Sequence, residues 1–357
     1  MIDASPDSLL RLLREAGPRW HSDIAAGRDA MLAAYAPLLA AAPVAALRSA
    51  RDLAYGGDAR QVLDIHAPPE AAGLPVMVFV HGGAFVRGDK AQTPWVYENV
   101  PLEFARHGFV AVNVEYRLAP QAAWPEGARD VRDAVLWVAR HIGAWGGDAA
   151  RIFLFGHSAA CAHCASAAWD ARVRPPQGLP VRGLVLASPR VVADLRPDNP
   201  NAHGVRAYYG EDASLHAERA PMAQLRADAP PTFVALAQYE NPLIDFYGFE
   251  LAHRLAQLCD TQGAAMPRFV QYPDHNHMSL LAQFNTPGNA FGADLRDWCA
   301  RVERGEFAGR QGAPARGRSA PAGQPQRQAR ERAARDDRDH TQPEAQQRHG
   351  GNHGQDP

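Results

Sequence analysis

The chain has little of what builds disulfide frameworks, membrane spans or nucleic-acid surfaces. It carries four cysteines in 357 residues, and without an export signal such thiols read as reduced rather than cross-linked. The longest alanine-rich stretch, Met31 to Ala50, is broken by Pro37, Pro43 and Arg48, so no apolar run of about 20 residues exists and a transmembrane helix is excluded. The N-terminus, Met1-Ile2-Asp3-Ala4-Ser5-Pro6-Asp7, lacks both the basic and the apolar region of a secretory signal. A cytoplasmic location without a membrane partner is expected. Charge of one sign is also lacking: 37 Lys and Arg face 39 Asp and Glu, a net charge of -2. No basic patch marks the first three hundred residues, so no nucleic-acid partner is expected.

What is present is ordinary globular composition, 46% hydrophobic, with no internal repeat. The length admits two domains or one large α/β domain. Residues 1–50 carry helical periodicity, with Leu9, Leu10, Leu12 and Leu13 in one amphipathic stretch and Met31, Leu32, Tyr35, Leu38 and Leu39 in a second. They read as an N-terminal helical cap segment. From residue 51 to 306, Val-, Ile- and Phe-rich strands alternate with helices. The expected strands are Gln61–His66, Val76–Val80, Phe109–Tyr116, Arg151–Phe155, Gly183–Ala187, Thr232–Ala237 and Arg268–Tyr272; the helices are Tyr97–His107, Glu126–His141, Ala159–Trp169, Tyr247–Asp260 and Ala290–Arg304. Repeated βα units imply an α/β fold with a mostly parallel central sheet and helices on both faces. Residues 307–357, rich in Arg, Gln and Pro, cannot bury enough apolar surface to offset ordering and are expected to be a disordered tail.

Two strand ends carry chemistry. Phe79-Val80-His81-Gly82-Gly83-Ala84-Phe85 ends a buried strand in a glycine pair, whose N–H groups no Cβ shields, as an oxyanion hole requires. A plain tight turn would use the same residues. Phe153-Leu154-Phe155-Gly156-His157-Ser158-Ala159-Ala160 feeds a strand directly into a helix. A serine on such a strained turn presents its Oγ outward, with helix N–H groups beneath it, so Ser158 is the expected nucleophile. An isolated serine there would more often be an N-cap.

These segments, with Tyr116-Arg117-Leu118-Ala119-Pro120 and Pro125 between them, resemble the hormone-sensitive-lipase-like and arylformamidase-like carboxylesterase branch of the α/β-hydrolase family. Tyr55-Gly56, Leu63-Asp64-Ile65 and Pro68 resemble the strand pair that opens the catalytic domain of its formamidase-like and feruloyl-esterase-like members. The resemblance covers about residues 50–305 and implies an α/β-hydrolase fold. The chain departs from the family pattern at Ala160, where the elbow usually closes with glycine. It departs again at Tyr239-Glu240-Asn241-Pro242-Leu243-Ile244-Asp245, where no aspartate precedes the proline.

Glu240, third beyond the strand Phe233–Ala237, stands where the family's acid leaves the sheet, with Asn241 resembling an insertion; it ranks ahead of Asp245. The base should follow the acid in chain order, in the loop Pro273-Asp274-His275-Asn276-His277-Met278-Ser279. His277 matches the family's pattern and ranks ahead of His275. His157 and His81 are expected to pack or hydrogen-bond around the elbow and the oxyanion loop. Cys161-Ala162-His163-Cys164 has a redox or zinc spacing, but one helical turn after the elbow it reads as buried small residues.

The expectation is a cofactor-free and metal-free serine hydrolase cleaving a small carboxylic ester or formamide-type amide, aromatic or short-acyl. Ser158, His277 and Glu240 would react, and the N–H groups of Gly82, Gly83 and Ala159 would hold the oxyanion. Phe85, Trp95, Tyr97 and Trp124 are candidates to wall an apolar pocket with the cap helices. The partner is the small-molecule substrate, and at most a second chain in a homodimer. The altered acid motif and Ala160 would instead suit a non-catalytic small-molecule-binding member of the fold; a third reading makes the Arg-rich tail the working part.

Overall fold

The computed structural model describes residues 6–42 and 46–307; apart from Phe307, the tail expected to be disordered, residues 307–357, lies outside them. Eight strands form one sheet: β1 (Arg48–Ala54), β2 (Val62–Ala67), β3 (Leu74–Val80), β4 (Val110–Val114), β5 (Gly147–His157), β6 (Gly183–Ala187), β7 (Thr232–Tyr239) and β8 (Arg268–Asn276). Their order is β1-β2-β4-β3-β5-β6-β7-β8. β2 is antiparallel to both β1 and β4, and all later pairings are parallel.

The two faces of the sheet differ in chemistry because side chains alternate along each strand. Val76, Val78 and Val80 of β3, with Val110, Val112 and Val114 of β4, share an aliphatic cluster with residues of α4 (Glu126–His141), α5 (Ala160–Trp169) and α8 (Ile244–Gln262). Met77, Phe79, Phe153, Phe155 and Phe233 face the other way. They pack on α3 (Asn99–Arg106), α9 (Ala290–Glu303) and the N-terminal helices α1 (Pro6–Ala16) and α2 (Ile24–Ala40) through Phe104, Phe291, Trp298, Leu13, Met31, Tyr35 and Leu39. α2 is capped by Asp23, whose side chain accepts from Ala26 N at 3.0 Å, and carries Pro37 within it. The helical cap segment therefore belongs to the core of one sheet face.

The structure differs from the sequence expectation at two elements. β1 begins at Arg48, inside the stretch assigned to the cap. Its residues are exposed or half-buried throughout, as befits an edge strand, so no apolar alternation announces it. Between β6 and β7 lie two further helices, α6 (Ala202–Tyr209) and α7 (His216–Arg219). α6 packs on the loop after β3 so closely that a Cβ on Gly204 would sit 2.1 Å from the Ala84 carbonyl oxygen.

α5 is buried along its whole length. Most of its side chains are small, Ala, Cys and Ser, which lets it lie close to the sheet and α4; His163 and the terminal Trp169 are the large exceptions, and both are buried. Burial pushes the Cys161 and Cys164 thiols up, making them poor nucleophiles. Among the described residues all four cysteines are free and buried.

Two predictions follow from this packing. Phe155, whose ring meets Phe79 at 5.1 Å and Phe291 at 5.8 Å, should cost roughly 3–5 kcal/mol of unfolding free energy when changed to Ala, read by urea titration. The second concerns pH. Burial pushes His163 down to about 3 and His275 to about 4, and burial, then His277, hold His157 well below the ordinary value. The unfolded chain binds more protons at these positions, so their contribution is complete above about pH 6.5 and is lost as pH falls below it. The urea midpoint should drop between pH 7 and pH 5, with a smaller drop in His163→Gln; a midpoint that rose on acidification would contradict this.

Candidate active site

β5 ends at His157 and α5 starts at Ala160, so the chain turns from strand to helix in two residues. Ser158 absorbs the turn with φ of 55°, in the left-handed region where a non-glycine residue is strained. Ser158 N–H donates to the Ala187 carbonyl at 2.9 Å, and its carbonyl accepts from Arg190 N at 3.2 Å and Cys161 N at 3.1 Å. The tightness shows at Gly156, where a Cβ would meet Cys164 Sγ at 2.8 Å and the Ala160 carbonyl at 3.0 Å. Ala160, the departure from the family pattern, is accommodated fully buried.

The structure brings the three residues expected to react into one hydrogen-bonded chain. His277 Nε2 lies 3.1 Å from Ser158 Oγ, and His277 Nδ1 lies 2.6 Å from Glu240 Oε2. The other carboxylate oxygen of Glu240 accepts from Ser188 Oγ at 2.7 Å and Ala237 N at 2.8 Å. Glu240 is 3% exposed, so its partners rather than water fix its direction. Asp245 and His275 are not part of this chain. Asp245 sits in the first turn of α8 and accepts from Phe246 N at 2.9 Å; His275 Nδ1 faces Ser279 Oγ at 3.1 Å.

The loop after β3, where the oxyanion hole is expected, is held by buried side chains. The two ring nitrogens of His81 face the Gly82 carbonyl at 2.7 Å and Glu115 Oε1 at 3.0 Å, and Tyr116 Oη donates to the His81 carbonyl at 3.0 Å. Burial alone would raise the Glu115 carboxyl, but His81, the Lys90 N–H and Arg60 together hold it below the ordinary range. Gly83 must be glycine: its φ is 148°, and a Cβ would fall 1.7 Å from the Arg87 carbonyl oxygen. A Cβ on Gly82 would lie 3.1 Å from Ser158 Cβ, which sets the loop against the elbow. Ala159 stands immediately ahead of α5, where backbone N–H groups have no partner one turn back. His157 lies beside His277 at a ring separation of 4.8 Å, and neither of its ring nitrogens has a hydrogen-bond partner among the described residues.

A narrow cavity of about 80 Å³ opens above Ser158, lined by residues that include Trp20, Ile24, Gly83, Tyr97, Asn241 and His277. The expected aromatic wall is corrected here, because only Tyr97 of the four candidates lines the cavity. Phe85 is buried and stacks on Tyr208 at 4.8 Å, Trp124 lies between Arg172 and Arg219, and Trp95 lines a different cavity. The cap contributes instead: Trp20 Nε1 donates to Asn241 Oδ1 at 2.9 Å, and His21 Nε2 to the Glu240 carbonyl at 2.6 Å. Asn241, the apparent insertion, ties the acid loop to the N-terminal segment.

Ser188 is the residue that sequence reasoning missed. It is buried, has φ of 50° and directly follows β6, but a lone Ser-Pro after a strand carries no distinguishing pattern. Ala84, Phe85, Ser158, Ser188 and Leu243 all have positive φ, and they lie in the four connections that follow β3, β5, β6 and β7. Strain of about 1–3 kcal/mol per residue persists only where surrounding structure enforces it.

Comparison with known proteins agrees with this geometry. The BD-FAE family model matches residues 63–170, from β2 through α5. Esterase LipI of Mycobacterium tuberculosis is 33% identical over 215 residues, 54% of this chain and 65% of the relative. A probable isoprenylcysteine alpha-carbonyl methylesterase, ICMEL2, of Arabidopsis thaliana is 39% identical over 119 residues, 33% of this chain and 27% of the relative. The chain thus spans less than two thirds of either relative's length. A hyperthermophilic esterase from the archaeon Pyrobaculum calidifontis shares the fold with a TM-score of 0.62 and 24% identity, over 85% of this chain and 99% of that one. With its sheet order and its strand-to-helix elbow, the chain has the α/β-hydrolase fold, and parts of it are similar in sequence to the BD-FAE family and to esterases.

Proposed function

We propose that the protein is a serine hydrolase that cleaves small carboxylic esters through an acyl-enzyme. The observation that carries this reading is the continuous path from Ser158 Oγ through His277 to Glu240, at 3.1 and 2.6 Å. Ser158 Oγ attacks the carbonyl carbon while its proton passes to His277 Nε2, and the oxyanion that forms is held by N–H groups of Gly82, Gly83 and Ala159. His277 then gives the proton to the leaving oxygen as the C–O bond breaks. Water, deprotonated by the same imidazole, attacks the acyl-Ser158 ester and releases the acid. Glu240 keeps the proton-bearing Nδ1 turned inward and stabilises the imidazolium.

A formamide-type amide would use the same steps with a leaving nitrogen; the esterase names of LipI and the methylesterase favour esters. A purely binding role has less support, because a decayed site has no reason to keep a strained nucleophile, a buried acid and an aligned imidazole together.

The test is covalent labelling with a fluorophosphonate, located by peptide mass spectrometry. Labelling confined to Ser158 and absent from Ser158→Ala is expected; no labelling would favour the binding role. His277→Asn should abolish acylation and His275→Asn should leave most of it. Ser188→Ala should lower kcat by roughly tenfold, the effect of one hydrogen bond to a charged group, and should alter the pH–rate profile. If Glu240→Gln kept full turnover while Asp245→Asn lost it, the assignment of the acid would be wrong.

A further inference from the structure

The cavity over Ser158 has a cationic lining. Arg28 and Arg87 line it, together with the amides of Gln92 and Asn201, and among its described lining residues there is no carboxylate. Arg87 is exposed and makes no ion pair or side-chain hydrogen bond with any described residue. Arg28 reaches only its sequence neighbour Asp29, at 2.8 Å, and that carboxylate is 66% exposed. Asp89, near Arg87 in sequence, is turned back to the Ala91 N–H at 2.8 Å. Both guanidinium charges act on the Tyr97 phenol in the cavity wall. Two under-compensated arginines at the mouth of a narrow pocket raise the local concentration of anions and present planar donor sets matched to a carboxylate.

Building on the hydrolase reading above, we infer that the preferred substrates are esters bearing a carboxylate, in the acyl chain or in the leaving group, held by Arg87 and Arg28. The carboxylate replaces water at these donors and draws the ester carbonyl toward Ser158. Gln92 and Asn201 supply neutral partners for its remaining lone pairs. The small volume, about 80 Å³, suits a short chain between the carboxylate and the scissile bond.

The test uses matched esters with the full chain: 4-carboxyphenyl acetate against phenyl acetate, and a monoaryl adipate against the aryl hexanoate, each corrected for its rate with hydroxide. In at least one pair the anionic ester should be favoured in kcat/KM, and the preference should shrink as salt is raised. The double variant Arg28→Gln/Arg87→Gln should reduce that preference by roughly tenfold, since exposed charge contacts are individually modest, and Arg87→Glu should invert it. Ser158-dependent cleavage of the neutral esters with no advantage for either anionic one, or a preference unchanged in the double variant, overturns this inference and leaves the hydrolase reading standing. Turnover of all four esters that survives Ser158→Ala overturns both.

Discussion

The left-handed backbone of Ser158 is the constraint from which the site is built. A strand that becomes a helix in two residues must place the next helix almost against its own end. That geometry requires glycine at 156, small residues along α5 and burial of the whole helix, which in turn permits α4 to pack over it. The strain is tolerated because β5 is central in the sheet, paired on both sides, so the elbow cannot relax without breaking ladders to β3 and β6. A strained serine held by a rigid scaffold keeps its Oγ in one direction, which is what nucleophilic attack needs.

The partners of Ser158 arrive from the ends of neighbouring strands. Ser188 follows β6, Glu240 follows β7, and His277 follows β8. The acid is anchored through one oxygen to Ser188 and to the Ala237 N–H, leaving the other for His277. A glutamate reaches further than an aspartate, and Asn241 secures the lengthened loop to Trp20 while His21 holds the Glu240 carbonyl. The cap segment thus serves two ends: its apolar residues complete one sheet face, and its short linker between helices braces the acid.

Much of this was legible along the chain because it is written in local pattern. The buried strands announce themselves by β-branched and aromatic runs, and β6 falls where expected, Gly183–Ala187. The elbow and the glycine pair follow strands directly, so Ser158, Gly82 and Gly83 could be named without a structure. Counting from the strand to Glu240 and reading the final loop for His277 placed two more residues that the fold brings together. What stayed hidden depends on long-range packing. β1 is an exposed edge without apolar alternation, α6 sits in an irregular connection, and Ser188 is distinguished only by its contact with Glu240. The aromatic pocket was misread for the same reason: Phe85 and Trp124 lie near the motifs in sequence but turn to other partners in space, while Arg28 and Arg87 reach the cavity from separate segments.

The central claim is that Ser158 carries the acyl group during turnover. It is tested most directly by mixing the protein with excess of a slowly deacylated aryl ester, quenching in acid within the first turnover, and weighing the intact chain. The expected result is a mass gain equal to one acyl group less a hydrogen, mapped to Ser158 and absent from Ser158→Ala. Ester hydrolysis with no such gain, or with the acyl group on another residue, would contradict it.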